Sequence, residues 1–231
     1  GRIYGMNYGI EGLLAEKLLD LDQLLGSALN IELLKRTPSS YLGSCRYKLP
    51  TPEQDEGVYQ TLFRLFERYQ IDAVLYIGGN DSMDTIAKLA AYGSRIGSPI
   101  RFIGVPKTID NDLMVTDHTP GFGSAAKYIA TVMKEIIRDS NVYDLKSVTV
   151  TEIMGRHAGW LAASASLSKG ADCDGPDLIL LPEVPFSEEL FLRRVNELRR
   201  EKNNIVIAAS EGVRRKDGTF LCDLAGGDGA V

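Results

Sequence analysis

The sequence predicts an α/β fold built on parallel sheets, and three observations carry that prediction. Ile71 to Ile77 is a nearly continuous, β-branched apolar run, the pattern of a central parallel strand covered on both faces. It runs into Gly78 and Gly79 and then a helix expected to begin near Ser82, where unpaired backbone N–H groups and the helix dipole favour an anion. A second apolar strand, RFIGVP, then releases PKTIDND from its carboxyl end, the edge at which open parallel sheets place their sites. Strand, helix and strand in that order build a right-handed crossover unit.

The remaining elements extend this pattern. Arg2 to Tyr4 reads as a short strand entering a turn at Gly5 and Gly9, and the segment to Asn30 is Leu-rich with helical spacing at Leu14, Leu18, Leu21 and Leu25. TPSSYLGSCRYKLP, from Thr37, is loop-like. Thr51, Pro52 and Gln54 read as an N-cap, a first-turn proline and a capping-box partner for a helix whose apolar face is Val58, Leu62, Leu65, Phe66 and Tyr69. Thr119 to Arg138 keeps helical spacing at Ala126, Ile129, Met133, Ile136 and Ile137, with Ser124 and Lys127 near its start either solvated or within reach of a phosphate. Ser147 to Met154 is a strand ending in MGRHAGW, where Gly155 and Gly159 allow close backbone approach and Arg156 offers a planar fork for phosphate. Asp177 to Leu181 is a buried strand ending at Pro182 and Glu183, and Ser187 caps a helix to about Lys202 whose Arg and Glu residues form a solvated face. Asn204 to Ser210 is a further strand that delivers Glu211 and Gly212 to the same sheet edge, and RRKDGTF is a hairpin turning at Asp217 and Gly218. No internal repeat is visible, and the domain break is expected after the helix ending near Arg138, giving domains 1–138 and 139–231.

Bulk properties narrow the function. With 231 residues, 44% of them hydrophobic, the chain is long enough to bury one large or two small α/β cores. Its 26 basic and 31 acidic residues leave a net charge of −5 without a basic run, which argues against nucleic-acid and membrane partners. The three cysteines, Cys45, Cys173 and Cys222, have no metal-type spacing and fit a reducing compartment; Cys45 beside Arg46 reads as a structural filler rather than a reactive thiol. With neither a bilayer-length apolar run nor a signal-peptide pattern, a cytoplasmic location is expected. The chain opens without Met and closes on GGDGAV, and reads as a piece of a longer protein.

GGNDS, GVPKTIDND and MGRHAGW resemble the phosphofructokinase family, in particular its pyrophosphate-dependent branch. The resemblance implies a phosphofructokinase-like α/β fold with two Rossmann-like parallel-sheet domains, the first binding the phosphoryl donor, the second the sugar phosphate, and the site between them. It implies that Asp110 takes the proton from the sugar 1-hydroxyl, with Asp112 assisting through the metal or by holding the loop. Two close carboxylates also keep one pKa from falling, which suits a base working near neutral pH. Thr108, Asp110, Met154, Gly155, Arg156 and Glu211 then bind substrate, and Lys107 and Arg156 serve the transferring phosphate. Gly79, Asp81, Ser82, Lys107 and, from an LGSxR-like segment, Arg46 meet the donor phosphates. Neither histidine is expected to be catalytic; His157 reads as a structural residue at a helix start.

The expected donor and metal rest, by the same resemblance, on three positions. Relatives that use ATP carry Gly where Asp81 and Lys107 stand, leaving room for the nucleotide's α-phosphate. A carboxylate there repels that phosphate and the lysine adds an ammonium beside the other two, so pyrophosphate is the expected donor and fructose 6-phosphate the expected acceptor. The family's usual GGD is GGN here, which puts Asn80 in place of an expected Mg²⁺-binding Asp; Asn80 and Asp81 are the candidate ligands, with Asp112 able to share the role. A homo-oligomer, dimer or tetramer, is implied by the resemblance. The alternatives left open are an ATP-dependent enzyme, a sedoheptulose 7-phosphate kinase, and a catalytically weak regulatory subunit.

Overall fold

A computed structural model describes residues 1–225; the closing GGDGAV lies outside the described residues. The chain divides into two units, Gly1–Val105 and a second that begins at Pro106.

In the first unit, β1 (Tyr4–Met6) leads into α1 (Gly9–Leu14), and β2 (Leu18–Asp20) returns to pair antiparallel with β1, with Gly5 opposite Leu19. The Leu-rich segment to Asn30 is therefore not one helix, contrary to its spacing. Glu16 takes a left-handed conformation (φ 53) and Lys17 N–H donates to Gly12 O, which stops α1 and turns Leu18 into a strand. Two caps then restart helices: Asp20 accepts from Gln23 N–H ahead of α2 (Leu21–Leu24), and Ser27 accepts from Asn30 N–H ahead of α3 (Ala28–Arg36).

α4 (Glu56–Arg68) buries Tyr59, Leu62, Leu65 and Phe66. Its N-cap is Asp55, which accepts from Val58 N–H at 3.3 Å, and not Thr51. Thr51 N–H instead donates to Gln54 Oε1 at 2.9 Å and closes the turn before the helix. β3 (Ala73–Gly78), α5 (Asn80–Arg95) and β4 (Arg101–Pro106) follow, with β3 and β4 hydrogen-bonded neighbours. Val74, Tyr76 and Phe102 pack against the core of α1, α4 and α5. Leu75, Ile77 and Ile103 point the other way and are 58, 66 and 47% exposed, so the strand is covered on one face rather than both. A continuous apolar run supplies both faces of a strand but does not say whether a layer lies over each.

The second unit contains α6 (Phe122–Ser140), β5 (Ser147–Ile153), α7 (Trp160–Ser164), β6 (Leu178–Leu180), α8 (Glu188–Glu201) and β7 (Asn204–Ser210). The strands form a parallel sheet in the order β5-β7-β6, in register from Ser147↔Asn204 to Ile153↔Ser210. The central strand β7 is the most deeply buried, with Ile205, Ile207 and Ala208 fully covered. α8, capped by Ser187 as expected, packs Val195 and Leu198 on Ile205 and Ile207. Met133 and Ile137 of α6 share a core with Ile153, Leu161 and Val206. For that reason the break falls before Pro106 rather than after Arg138: α6 belongs by its packing to the sheet that follows it.

Truncating Leu161 to Ala removes a fully buried side chain from this core. It should cost about 2–5 kcal/mol of unfolding free energy. Leu190→Ala, at a side chain 52% exposed on α8, should change it by less than about 0.5 kcal/mol. Urea unfolding of the two variants measures the contrast.

Candidate active site

In the first unit three of the expected donor-phosphate residues, Gly79, Asp81 and Ser82, stand together at the end of β3. α5 begins at Asn80, two residues earlier than Ser82, with Gly79 as an N-cap that has no side-chain cap bond. Its first-turn N–H groups thus lie among Gly79, Asn80, Asp81 and Ser82. Ser82 packs against Gly78 so closely that a Cβ there would overlap its hydroxyl, which explains the first of the two glycines. Asp81 is exposed in that first turn. Arg46 sits exposed on the preceding loop, and its neighbour Cys45 is half-buried against the Tyr76 hydroxyl of β3. Burial and the nearby Cys45 push the Tyr76 phenol up to about 12, so Tyr76 stays a neutral hydroxyl tethering that loop.

In the second unit the PKTIDND loop turns back on itself and is stapled shut. Asn111 stands in a left-handed conformation (φ 56) and is buried. Its Nδ2 donates to Asp117 O at 3.0 Å and its Oδ1 accepts from Thr119 N–H at 2.9 Å. Thr119 Oγ1 donates to Thr108 O at 2.6 Å, which is why α6 starts at Phe122 and not at Thr119. Asp110 N–H donates to Thr108 Oγ1 at 3.2 Å, leaving the threonine's own proton for another oxygen. Asp110 Oδ1 is buried without a hydrogen-bond partner. Burial first, then the negative charges of Asp112 and Glu211, raise the Asp110 pKa above the ordinary aspartate value, against the opposing pull of Lys107 and His157. The loop thus brings Lys107, Asp110 and Asp112 together with Glu211 and His157.

The MGR segment is fixed by the end of β7. Ser210 Oγ donates to Gly155 O at 2.6 Å and accepts from Gly212 N–H at 3.0 Å, while Gly155 N–H donates to Glu211 Oε1 at 2.9 Å. Gly155 (φ 122) faces Ala158 O and Gly212 faces Arg156 O, each too close for any side chain. Glu211, implied as a ligand of sugar hydroxyls, therefore spends one oxygen on the backbone. Met154 and Arg156 are exposed, and the Arg156 guanidinium lies 4.8 Å from the centre of the Phe220 ring. His157 is not at a helix start, because α7 begins at Trp160 behind Gly159 and Gly159 N–H donates to Glu183 Oε1 at 2.7 Å. Ser124 and Lys127 are exposed on α6.

A comparison with protein families matches residues 1–228 to the model described as Phosphofructokinase. The chain belongs to the phosphofructokinase family. It is 42% identical over 230 residues to a pyrophosphate–fructose 6-phosphate 1-phosphotransferase of Halomonas elongata, covering 99% of this chain and 54% of that one. A Xanthomonas campestris protein of the same name is 43% identical over 227 residues, covering 97% and 54%. The crystal structure of a pyrophosphate-dependent phosphofructokinase from Nitrosospira multiformis superimposes with a TM-score of 0.84 at 41% identity, covering 95% of this chain and 54% of that one. The chain thus spans about half the length of the relatives it matches.

Sequence reasoning overlooked Asn111, Thr119, Ser210 and Phe220. An Asn between two Asp residues is a signal for a left-handed position, since its short amide bonds locally where other side chains are strained. Ser210 and Phe220 carry no such signal, because their partners lie 55 and 64 residues away by number, at Gly155 and Arg156.

The raised Asp110 pKa has a consequence for stability. A carboxyl that ionises less readily folded than unfolded destabilises the fold once it is charged, so the loss develops as pH rises above the ordinary value of 3.8 and through the folded value. Asp110→Asn cannot ionise and should stabilise this chain at pH 7 by no more than about 1 kcal/mol, since the carboxyl is partly solvated. The gain should vanish as pH approaches 3.8, measured by thermal unfolding in EDTA.

Proposed function

We propose that the enzyme to which this chain belongs transfers a phosphoryl group from pyrophosphate to the 1-hydroxyl of fructose 6-phosphate. The observation that carries the reading is the buried, partnerless Asp110 Oδ1 held among Lys107, Asp112, Glu211 and His157. A general base must accept a proton at a defined atom, and a carboxylate oxygen without an internal partner meets that need. Its raised pKa brings it closer to neutrality, where a base works best. In the reaction the sugar hydroxyl oxygen bonds to one phosphorus, the bond from that phosphorus to the bridging oxygen breaks, orthophosphate leaves, and the hydroxyl proton passes to Asp110. The transfer is reversible in principle, because a phosphoanhydride is exchanged for a phosphate ester.

Positioning and electrostatics supply most of the catalysis in phosphoryl transfer. Lys107 contributes an ammonium and Arg156 a planar fork to the phosphates, Thr108 a hydroxyl to a phosphoryl oxygen, and Met154, Gly155 and Glu211 shape the sugar side. The α5 start, with Gly79, Asp81 and Ser82, and Arg46 serve the donor. Pyrophosphate has no nucleoside to anchor it, so its affinity comes from phosphate contacts; Asp81 and Lys107 favour it over ATP on those grounds. Mg²⁺, when bound, shields the charge of the transferring phosphate. Asn80 and Asp81 would hold it as hard oxygen donors, and among the described residues no three His, Cys, Asp or Glu side chains form a metal cage. A magnesium site of one or two protein oxygens completed by phosphates fits that set. A homo-oligomer acting in the cytoplasm agrees with the family resemblance; no helix among the described residues is long and apolar enough to cross a membrane.

The test is a coupled initial-rate assay on the protein expressed from its complete gene, with fructose 6-phosphate and Mg²⁺, comparing pyrophosphate with ATP. Turnover with pyrophosphate alone is expected; turnover with ATP alone would overturn the donor assignment. Asp110→Ser should lower kcat by about 10²–10⁴-fold with little change in KM. Replacing both Asp81 and Lys107 by Gly should raise KM for pyrophosphate, and an unchanged donor preference would sink the steric argument.

A further inference from the structure

RRKDGTF reads in the sequence as a hairpin and nothing more, yet the structure ends it beneath a phosphate-binding candidate. After β7 the chain forms a tight return in which Arg215 N–H donates to Thr219 O at 2.9 Å and Gly218 N–H to Arg215 O at 3.0 Å. Thr219 N–H is held by Asp217 Oδ1 at 3.0 Å, and Arg214 pairs across with Phe220. The base is tied down as well: Leu221 N–H donates to Val213 O, Phe186 N–H to Arg214 O, and Arg214 Nε to Pro182 O. These bonds fix Phe220 from both sides.

The Arg156 guanidinium lies over that ring, 4.8 Å from its centre, and His157 meets the same ring edge-on at 6.1 Å. Among the described residues no ion pair or side-chain hydrogen bond involves Arg156. A carboxylate partner would neutralise the guanidinium and occupy its N–H groups. An aromatic face does neither: it attracts the cation through the ring's negative face and leaves the N–H edge open. A planar fork with a free edge is suited to bidentate phosphate recognition.

We propose that Phe220 is a positioning residue that holds the Arg156 guanidinium over its ring, so that the guanidinium's N–H groups meet a phosphate group of a substrate. The inference rests on the phosphate-binding role given to Arg156 above. The phosphate belongs either to the sugar ester or to pyrophosphate, and the experiment separates the two.

The test uses the enzyme expressed from its complete gene. Phe220→Leu keeps an apolar side chain and removes the π face. It should raise KM for one of the two phosphorylated substrates by about two- to fivefold, the range of an exposed cation–π contact. Whichever KM moves identifies the phosphate. Phe220→Tyr and Phe220→Trp should restore that KM to within about twofold of the parent, because both retain a π face. If Leu unfolds the hairpin, Phe220→Met supplies the same comparison. A loss shared by the Trp and Leu variants would mean that shape matters and not the ring, and would overturn the proposal. Phe220→Leu should have no further effect in an Arg156→Ala background; an additive loss would show that Phe220 acts independently of Arg156. If Arg156→Ala leaves both KM values and kcat unchanged, the phosphate role of Arg156 falls and the inference with it. If Arg156→Ala is damaging and Phe220→Leu is silent, only the inference falls.

Discussion

Where β5 and β7 end, the sheet ladder continues through side chains, and the second unit's chemistry hangs from that continuation. Glu211 N–H donates to Ile153 O at 2.8 Å, the next step of the ladder beyond Ile153↔Ser210. Ser210 and Glu211 then take the carbonyl and the N–H of Gly155 between them. A residue held at both its N–H and its C=O, with no space for a Cβ at Gly155 or Gly212, cannot rotate freely. Arg156 follows directly, so its place is set by strand register. A slip of one residue between β5 and β7 would turn each side chain to the opposite face and dissolve the arrangement. The fully buried Ile205, Ile207 and Ala208 guard against that slip, which links the core to the site.

The PKTIDND loop obeys a different constraint. It keeps a carboxylate oxygen of Asp110 buried without a partner and a non-glycine residue in the left-handed region, both unfavourable by themselves. Asn111 is suited to the second task, since its amide satisfies Asp117 O and Thr119 N–H from inside the loop. The staple to Thr108 through Thr119 closes the loop base. The local cost at Asp110 and Asn111 is therefore offset by hydrogen bonds a few residues away.

The division between what the sequence disclosed and what it hid follows the range of the interactions. β7 was legible at both ends, and α8 was legible from the Ser187 cap, because alternation, apolar runs and N-caps are local. The segment from Lys107 to Asp112 could be singled out from the sequence because it is contiguous, and the structure places it on one loop. The Leu-rich N-terminal stretch misled, since pairing with β1 overrides helical spacing. Thr51 misled because two capping signals stood four residues apart and Asp55 took the helix. The domain break depended on which sheet α6 packs against, and the partners of Gly155, Glu211 and Arg156 lie on distant segments. No period in a sequence encodes those choices.

Charge ties these parts together. Around Asp110 stand the carboxylates of Asp112 and Glu211, opposed by Lys107 and His157. The proposed binding of phosphates requires that the cations not be consumed by the neighbouring carboxylates, yet a long cation without a partner is costly to hold in one conformation. Glu211 is partly withdrawn from that competition by its bond to Gly155 N–H. Arg156 is supported by an uncharged ring, which restrains the guanidinium and leaves its full charge and its donors to an incoming anion. The chain carries a net charge of −5 and cannot attract phosphates by bulk field. Among the described residues neither Lys107 nor Arg156 is held in an internal ion pair, the physical condition that the proposed recognition of phosphates requires.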